Sequence, residues 1–196
     1  CFGYSNAQEV NRMKTRDEAL ALLRQYNDND ALLKHAYAVE AVMRRFAARF
    51  GEDVEYWGLV GLLHDIDYQK WPEEHLQVAP RLLRDAGFDE AFVRAVCAHG
   101  YGLCSDVKPE LPVEKTIYTI DELTGLITAA ALMRPSRSVT DIEVKSVKKK
   151  FKDKHFAAGV NRDVILAGCE MLGLPLDEVI AESIEGMRDV HEALGL

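Results

Sequence analysis

The sequence lacks a long apolar run and an excess of basic residues. Each of these absences argues against one class of protein. No apolar stretch reaches the roughly 18 residues that suggest a membrane span. The longest candidate, residues 123–133, directly follows Asp121 and Glu122. Lys and Arg number 24 against 32 Asp and Glu, which gives a net charge of -8 at pH 7. Because binding along a nucleic-acid backbone needs a basic surface, neither a membrane nor a nucleic-acid partner is expected.

Cysteine pairs and a leader pattern are also missing. The four cysteines show no Cys-x-x-Cys spacing, which fits free thiols in a reducing compartment. No signal-peptide pattern opens the sequence, so a cytoplasmic protein is expected. The chain begins with Cys1, and Met13 is followed by a good helix start. We therefore expect residues 1–12 to be an added or upstream remnant and residues 13–196 to form one domain.

Alternating strand patterns, internal repeats and low-complexity linkers are absent, whereas helix signals recur along the chain. Thr15 and Glu18 have the spacing of a capping box, which predicts a helix to about Tyr26. Further helices are predicted over residues 30–50, 54–65, 73–86, 89–99, 112–133 and 140–153, the last from a second capping box at Thr140, with two more near 162–172 and 176–194. The expected fold is all-α, a compact bundle of about eight helices.

A His-Asp pair and a second aspartate interrupt the most apolar parts of the sequence. His64 and Asp65 end the apolar segment 54–65, and Asp121 lies inside the predicted helix 112–133. A buried carboxylate is costly unless it is paired or binds a metal. A cation between these groups would remove that cost, and imidazole with carboxylate favours Mn, Fe, Co, Ni or Zn over Ca, with Mg as a further option. The alternative is a buried hydrogen-bonded pair without a metal.

His35, the His64-Asp65 pair and Asp121 follow one another in a recognisable order. This order resembles the H…HD…D signature of the HD-domain superfamily of metal-dependent phosphohydrolases, in which four residues from different helices converge on one metal. The resemblance covers about residues 30–135. It implies an HD-type helical bundle in which these four residues bind one divalent ion.

Two more histidines extend the resemblance to the HDIG-type branch of that superfamily. His75 follows the HD pair, and His99 closes the next predicted helix. In that branch two such histidines hold a second metal, which the HD aspartate bridges to the first, so one or two metals are implied. The alternative is that both are surface or loop histidines. Asp67 stands where the branch has glycine, and the Gly-Tyr-Pro signature is absent, so hydrolysis of cyclic di-GMP is not expected.

The C-terminal third resembles a group of small predicted HD hydrolases without an established substrate. The similarity lies in Asp-Glu-Leu-Thr-Gly at residues 121–125 and Val-Lys-Ser-Val-Lys-Lys-Lys at residues 144–150. We therefore expect residues 136–196 to add C-terminal helices to a metal-site core at about residues 30–135.

Three charged residues near the motifs are candidates for a part in catalysis, beside Asp65. A bound metal would lower the pKa of its water towards neutrality. Lys70 and Arg134 would stabilise negative charge in the transition state or contact the substrate, unless they are only solvated charges. Asp67 would orient or deprotonate the attacking water from the rim of the site, unless it is a turn residue at a helix end.

A basic stripe lies on the predicted helix 140–153. Its members follow the i, i+3, i+4, i+7 spacing of one helix face and are Lys145, Lys148, Lys149 and Lys152. The stripe is either a solvated surface or a wall that attracts a phosphate or nucleotide beside the metal site.

These features indicate a hydrolase that cleaves a phosphomonoester or phosphodiester, of a nucleotide or a related small molecule. A homodimer is left open. One alternative is a mixed-valence di-iron oxygenase of the HD fold, which would use the same six ligands. Another is a non-catalytic HD-like signalling module, although such modules typically lose ligands that this sequence retains.

Overall fold

The computed structural model describes residues 12–196, and within them every regular element is helical. Its ten α-helices are α1 (Arg16–Tyr26), α2 (Asp30–Phe50), α3 (Val54–Leu63), α4 (Ala79–Asp85), α5 (Glu90–Ala98), α6 (Pro112–Leu132), α7 (Val144–Lys152), α8 (Arg162–Leu172), α9 (Leu176–Arg188) and α10 (His191–Leu194). A short 3-10 helix, Pro72–Glu74, precedes α4. The predicted all-α fold is confirmed. Apart from Arg12, the segment expected to be a remnant lies outside the described residues.

Local sequence signals place most helix ends correctly. The Thr15 hydroxyl accepts from the Glu18 N–H at 3.2 Å, and the Glu18 carboxylate accepts from the Thr15 N–H at 2.7 Å, so the predicted capping box starts α1. Gly51 ends α2 in the left-handed conformation with φ 71°, which costs glycine little. Pro112 is the first residue of α6, where a missing N–H removes no helical hydrogen bond.

The helix predicted over residues 73–86 begins only at Ala79, and the non-helical turn before it shapes the site described below. Leu76 adopts a left-handed backbone with φ 63° between the 3-10 turn and α4. The N–H groups of Leu76 and Ala79 donate to Asp67 Oδ2 at 2.9 and 2.7 Å. A buried carboxylate thus holds the backbone in a turn, and Pro80 follows at the start of α4, where a helix tolerates proline.

Two C-terminal boundaries also differ from the prediction. The capping box expected at Thr140 does not form, because α7 begins at Val144, and its N-cap Glu143 makes no side-chain capping hydrogen bond. Thr140 Oγ1 instead lies 2.8 Å from Ser138 Oγ. The helix expected over residues 176–194 is divided into α9 and α10, so the nine helical segments predicted above give ten helices.

The two longest helices, α2 and α6, lie at the centre of the bundle. Helix α2 packs on α3, α6 and α9, and α6 packs in addition on α5, α7 and α8. Gly61 allows the close approach of α2 and α3, since a Cβ there would lie 2.9 Å from both the Glu40 Cα and the Val39 carbonyl oxygen. The apolar core between these helices includes Phe46, which is fully buried.

This packing gathers polar residues from distant parts of the chain at one place. The N-terminal part of α2, the turn after α3, the end of α5 and the middle of α6 each contribute a histidine or an aspartate there. Within residues 12–196, no helix has both the length and the apolar character needed to cross a membrane.

Candidate metal centre

Four side chains from α2, α6 and the turn after α3 form a first cluster of donor atoms. His35 Nε2 lies 2.9 Å from Asp121 Oδ1 and 3.2 Å from His64 Nε2. His64 Nε2 lies 3.3 Å from Asp121 Oδ1 and 3.3 Å from Asp65 Oδ2. The structure therefore brings together the four residues of the H…HD…D order, with their donor atoms directed at one point.

A second cluster uses the other oxygen of the same aspartate. Asp65 Oδ1 lies 3.3 Å from His75 Nε2 and 3.5 Å from His99 Nε2. The two histidine nitrogens are 3.1 Å apart. Asp65 thus presents one carboxylate oxygen to each cluster, which is the arrangement of a carboxylate that bridges two metal ions.

In three of the four histidines, Nδ1, the ring nitrogen that faces away from the cluster, is hydrogen-bonded to an oxygen acceptor. His64 Nδ1 donates to the Gly61 carbonyl at 2.7 Å, and His99 Nδ1 donates to the Val96 carbonyl at 2.6 Å. A carbonyl oxygen can only accept, so the proton of each neutral ring lies on Nδ1. The lone pair of Nε2 is then free for a metal, and the ring orientation is set.

Asp67 fixes the ring of the remaining histidine of the second cluster. Its Oδ1 accepts from His75 Nδ1 at 2.7 Å, and its Oδ2 accepts the N–H groups of Leu76 and Ala79. Asp67 is fully buried. The expected position at the rim of the site was therefore wrong: both oxygens are occupied, and the carboxylate acts on His75 rather than on a water in the cavity.

Burial and neighbouring charges shift the pKa values of the first cluster in opposite directions. Burial disfavours the protonated ring of His64, but the carboxylates of Asp65 and Asp121 outweigh it and raise the pKa of His64 well above its ordinary value. Burial also favours neutral acids, yet the imidazoles around Asp65 and Asp121 hold the pKa of both carboxyl groups well below the ordinary range. Both acids are therefore anionic at neutral pH, as metal ligands are.

The donor set fits a divalent transition metal. Buried carboxylates away from the site are neutralised by arginine: Glu40 accepts from Arg16 at 2.7 Å, and Glu114 accepts from Arg94 at 2.9 Å. The two site aspartates have no Lys or Arg partner within residues 12–196, and only imidazoles face them. Carboxylate oxygens beside imidazole nitrogens suit Mn, Fe, Co, Ni or Zn. A divalent cation from solution would pair with both carboxylates in place of the protons on the imidazoles.

A cavity of about 380 Å³ opens over both clusters. Its walls are largely apolar and include Leu32, Tyr68, Leu103, Val160 and Val164. Tyr68 and Leu103 keep 43% and 60% of their surface exposed, which is high for large apolar side chains. Among the described residues, no Lys or Arg lines this cavity.

The sequence analysis missed several of these lining residues. Glu122 lines the cavity, and its Oε2 accepts from the Asn161 N–H at 2.9 Å. Burial raises the pKa of the Glu122 carboxyl. Its position next to Asp121 was a signal for a role near the site. No sequence signal pointed to Val160 or Val164, because α8 reaches the cavity only through its packing on α6.

The two basic residues proposed for catalysis, Lys70 and Arg134, lie away from the cavity. Lys70 Nζ donates to the Gln25 carbonyl at 2.8 Å and lies over the Tyr26 ring, so it ties the turn after α3 to the end of α1. Arg134 Nε donates to Asp141 Oδ1 at 2.8 Å, beyond the C-terminal end of α6. Neither lines the cavity over the donor clusters, so the structure does not support a direct role for them in catalysis.

The lysine stripe forms one face of α7, as its spacing predicted, but it does not border the cavity either. Lys148 Nζ lies 2.7 Å from Asp177 Oδ1, and Lys145 Nζ lies 2.9 Å from Glu143 Oε2. Lys149 lines a separate cavity together with Arg134, and Lys152 is exposed. The proposed wall beside the metal site is therefore not formed by these lysines.

Comparison with known proteins supports the same assignment. A family model described as the HD domain matches residues 32–126. This range contains the four histidines and the two aspartates of the two clusters. Comparison with solved structures gave no match. The matched range begins within α2 and ends within α6, the two helices that carry His35 and Asp121. The match over residues 32–126 supports membership of the HD-domain superfamily, whose members are generally metal-dependent hydrolases.

Proposed function

We propose that the protein is a metal-dependent phosphohydrolase with a dinuclear centre. His35, His64, Asp65 and Asp121 would hold the first ion, and Asp65, His75 and His99 would hold the second. The observation that carries the proposal is the position of Asp65, whose two oxygens lie 3.3 Å from His64 Nε2 and 3.3 Å from His75 Nε2.

A divalent cation at such a site lowers the pKa of a bound water towards neutrality and polarises a phosphoryl oxygen. The chain's own residues contribute position and environment. The Gly61 and Val96 carbonyls and the Asp67 carboxylate hold three imidazoles in the tautomer that directs Nε2 inwards. The apolar walls lower the dielectric constant around the reacting group, which strengthens electrostatic interactions inside the cavity.

The lining of the cavity restricts the substrate. With no Lys or Arg on the described walls, positive charge at the reacting phosphoryl group must come from the metal centre. The exposed Tyr68 and Leu103 offer apolar surface to an uncharged part of the substrate, such as a nucleoside or another organic group. A small phosphomonoester or phosphodiester with an organic group next to the phosphorus fits this environment.

The experiment is a screen of phosphate esters with the purified protein, loaded in turn with Mn, Fe, Co, Ni, Zn or Mg. The esters are p-nitrophenyl phosphate, bis-p-nitrophenyl phosphate, nucleoside monophosphates and cyclic nucleotides. We expect metal-dependent release of phosphate or p-nitrophenol that is absent in Asp65→Ala. If the protein is fully loaded with each metal in turn and still hydrolyses none of the esters, it is not a phosphohydrolase.

A second candidate function follows from the same carboxylate. A bridging Asp65 with histidines on both sides also suits a mixed-valence di-iron oxygenase, because both reactions need two ions held by nitrogen and oxygen donors. Oxygen consumption by the iron-loaded protein, measured with an electrode against phosphonate or polyol substrates, distinguishes the two. Activity with Mn or Co in the absence of oxygen favours the hydrolase.

A further inference from the structure

The groove that contains the metal cavity continues into a second cavity of about 420 Å³. The two cavities share His35 on α2 and Gly125 on α6 as lining residues. A Cβ at Gly125 would meet no atom within 4 Å, so open space lies at the point where one cavity passes into the other. The second cavity is therefore an extension of the candidate active site.

The order of lining residues along α6 gives the direction and length of this extension. Asp121, Glu122 and Gly125 line the metal cavity, whereas Gly125, Thr128 and Leu132 line the second one. A helix rises 1.5 Å per residue, so Thr128 lies about 10 Å along the axis from Asp121. A ligand that reaches both cavities must span roughly that distance.

The second cavity has the cations that the first one lacks. Lys34 and Arg137 line it. Lys34 Nζ lies 2.8 Å from Asp30 Oδ2, but Asp30 is 82% exposed, and a surface pair of this kind contributes little. Arg137 is exposed, and none of the side-chain hydrogen bonds or ion pairs formed within residues 12–196 involves its guanidinium. Its charge is thus available to a ligand.

The backbone at Arg137 also points to a ligand-binding role. Arg137 has φ 51°, a left-handed conformation that a non-glycine residue rarely adopts. Such strain persists where the surrounding structure maintains it, and it is common at sites that hold a ligand. The Arg137 N–H donates to the Arg134 carbonyl at 3.0 Å, which fixes the turn that carries the side chain.

We propose that the cavity lined by Lys34 and Arg137 binds a second anionic group of the substrate, while the reacting phosphoryl group lies at the metal centre. The substrate is then a phosphate ester with a further phosphate or carboxylate about 10 Å from the reacting phosphorus. This proposal rests on the proposed function. It adds to it the class of substrate and two residues that select it.

The test measures binding by isothermal titration calorimetry on the Mn-loaded protein, so turnover is not required. The probes are an alkyl bisphosphonate with a six-carbon chain and the alkyl monophosphonate of the same chain length. We expect the bisphosphonate to bind about tenfold tighter or more, because its second group binds intramolecularly once the first is held. In Lys34→Gln/Arg137→Gln, both probes should bind equally, with the monophosphonate affinity unchanged.

The matched control is Lys145→Gln/Lys149→Gln, which removes the same charge from an exposed face of α7 and should keep the bisphosphonate preference. Thermal melting of both double variants checks that they fold. Equal affinity for the two probes in the wild type, or a preference that survives Lys34→Gln/Arg137→Gln, would overturn the second anion site alone. Binding of neither probe to protein with full metal content would overturn this proposal and the phosphohydrolase together.

Discussion

Asp67 Oδ1, on a fully buried side chain, lies 2.7 Å from Nδ1 of His75, a member of the second donor cluster. The same carboxylate accepts two backbone N–H groups through its other oxygen. Asp67 thus holds both the ring of His75 and the turn that follows it. Carboxylates in this position keep a ligating histidine in one tautomer and raise its basicity.

The first prediction follows from this pair. Asp67→Asn replaces one acceptor oxygen with an NH₂ group and removes the charge, so we expect the affinity of the second metal site to fall by about 10–100-fold. Competition with a chromophoric chelator measures this affinity. Asp85→Asn, at an exposed residue near the end of α4, is the control. Unchanged metal affinity in Asp67→Asn would show that the pair does not support the site.

The second prediction concerns Asp65. Because its two oxygens face both clusters, Asp65→Ala should remove both metals and all metal-dependent turnover. Its carboxylate is not part of the apolar core, so far-UV circular dichroism should show helix content close to that of the wild type. Full metal content in Asp65→Ala, determined by elemental analysis, would exclude the bridging role.

The third prediction separates the two metal sites. The wild type should bind close to two ions per chain, and His99→Ala should bind close to one, because the first cluster keeps its own four donors. Inductively coupled plasma measurements on dialysed protein give these values. A wild-type stoichiometry that saturates at one ion would rule out the dinuclear centre while leaving a mononuclear hydrolase.

The fourth prediction tests how packing positions the site. A Cβ at Gly61 would lie 2.9 Å from backbone atoms of Val39 and Glu40, so Gly61→Ala must push α2 and α3 apart. We expect a loss of about 1–3 kcal/mol in the free energy of unfolding. Metal affinity should fall as well, because the Gly61 carbonyl holds His64.

The control for that packing effect is Gly125→Ala on α6. No atom lies within 4 Å of the added Cβ, so this variant should be neutral or more stable by up to about 1 kcal/mol. Urea titrations of both proteins compare them directly. Equal stability of the two alanine variants would mean that the close approach at Gly61 is not required.

The last prediction concerns alkaline pH and a residue outside the site. Burial, with smaller effects from Asp89, raises the pKa of Tyr56 from 10.0 to about 12. Between these values the unfolded chain loses a proton that the folded chain keeps, so the stabilising effect is complete below pH 10 and declines as the pH rises towards 12. Urea midpoints should therefore fall more steeply over this window in the wild type than in Tyr56→Phe. If the urea midpoint falls equally steeply with pH in both proteins, Tyr56 does not cause the loss of stability.

The helices with strong local signals, and the histidines and aspartates that gather at the candidate site, could be predicted from the sequence. Thr15, Gly51 and Pro112 act through their own backbone and its nearest neighbours, so their effect on helix ends can be read without the fold. The set of histidines and aspartates was recognisable because chemistry limits which side chains bind such a metal, and their order along the chain matches a known signature.

Which charged residues face the groove depends on tertiary packing. Lys70 and the α7 lysines were candidates by spacing, yet packing directs Lys70 to the end of α1 and places the lysine stripe away from the donor clusters. Packing also brought Arg137 from a loop to the groove between α2 and α6. Charge and helical period are local properties of a sequence. The neighbours of a side chain depend on contacts between segments that lie far apart along the chain, and only the folded molecule brings those together.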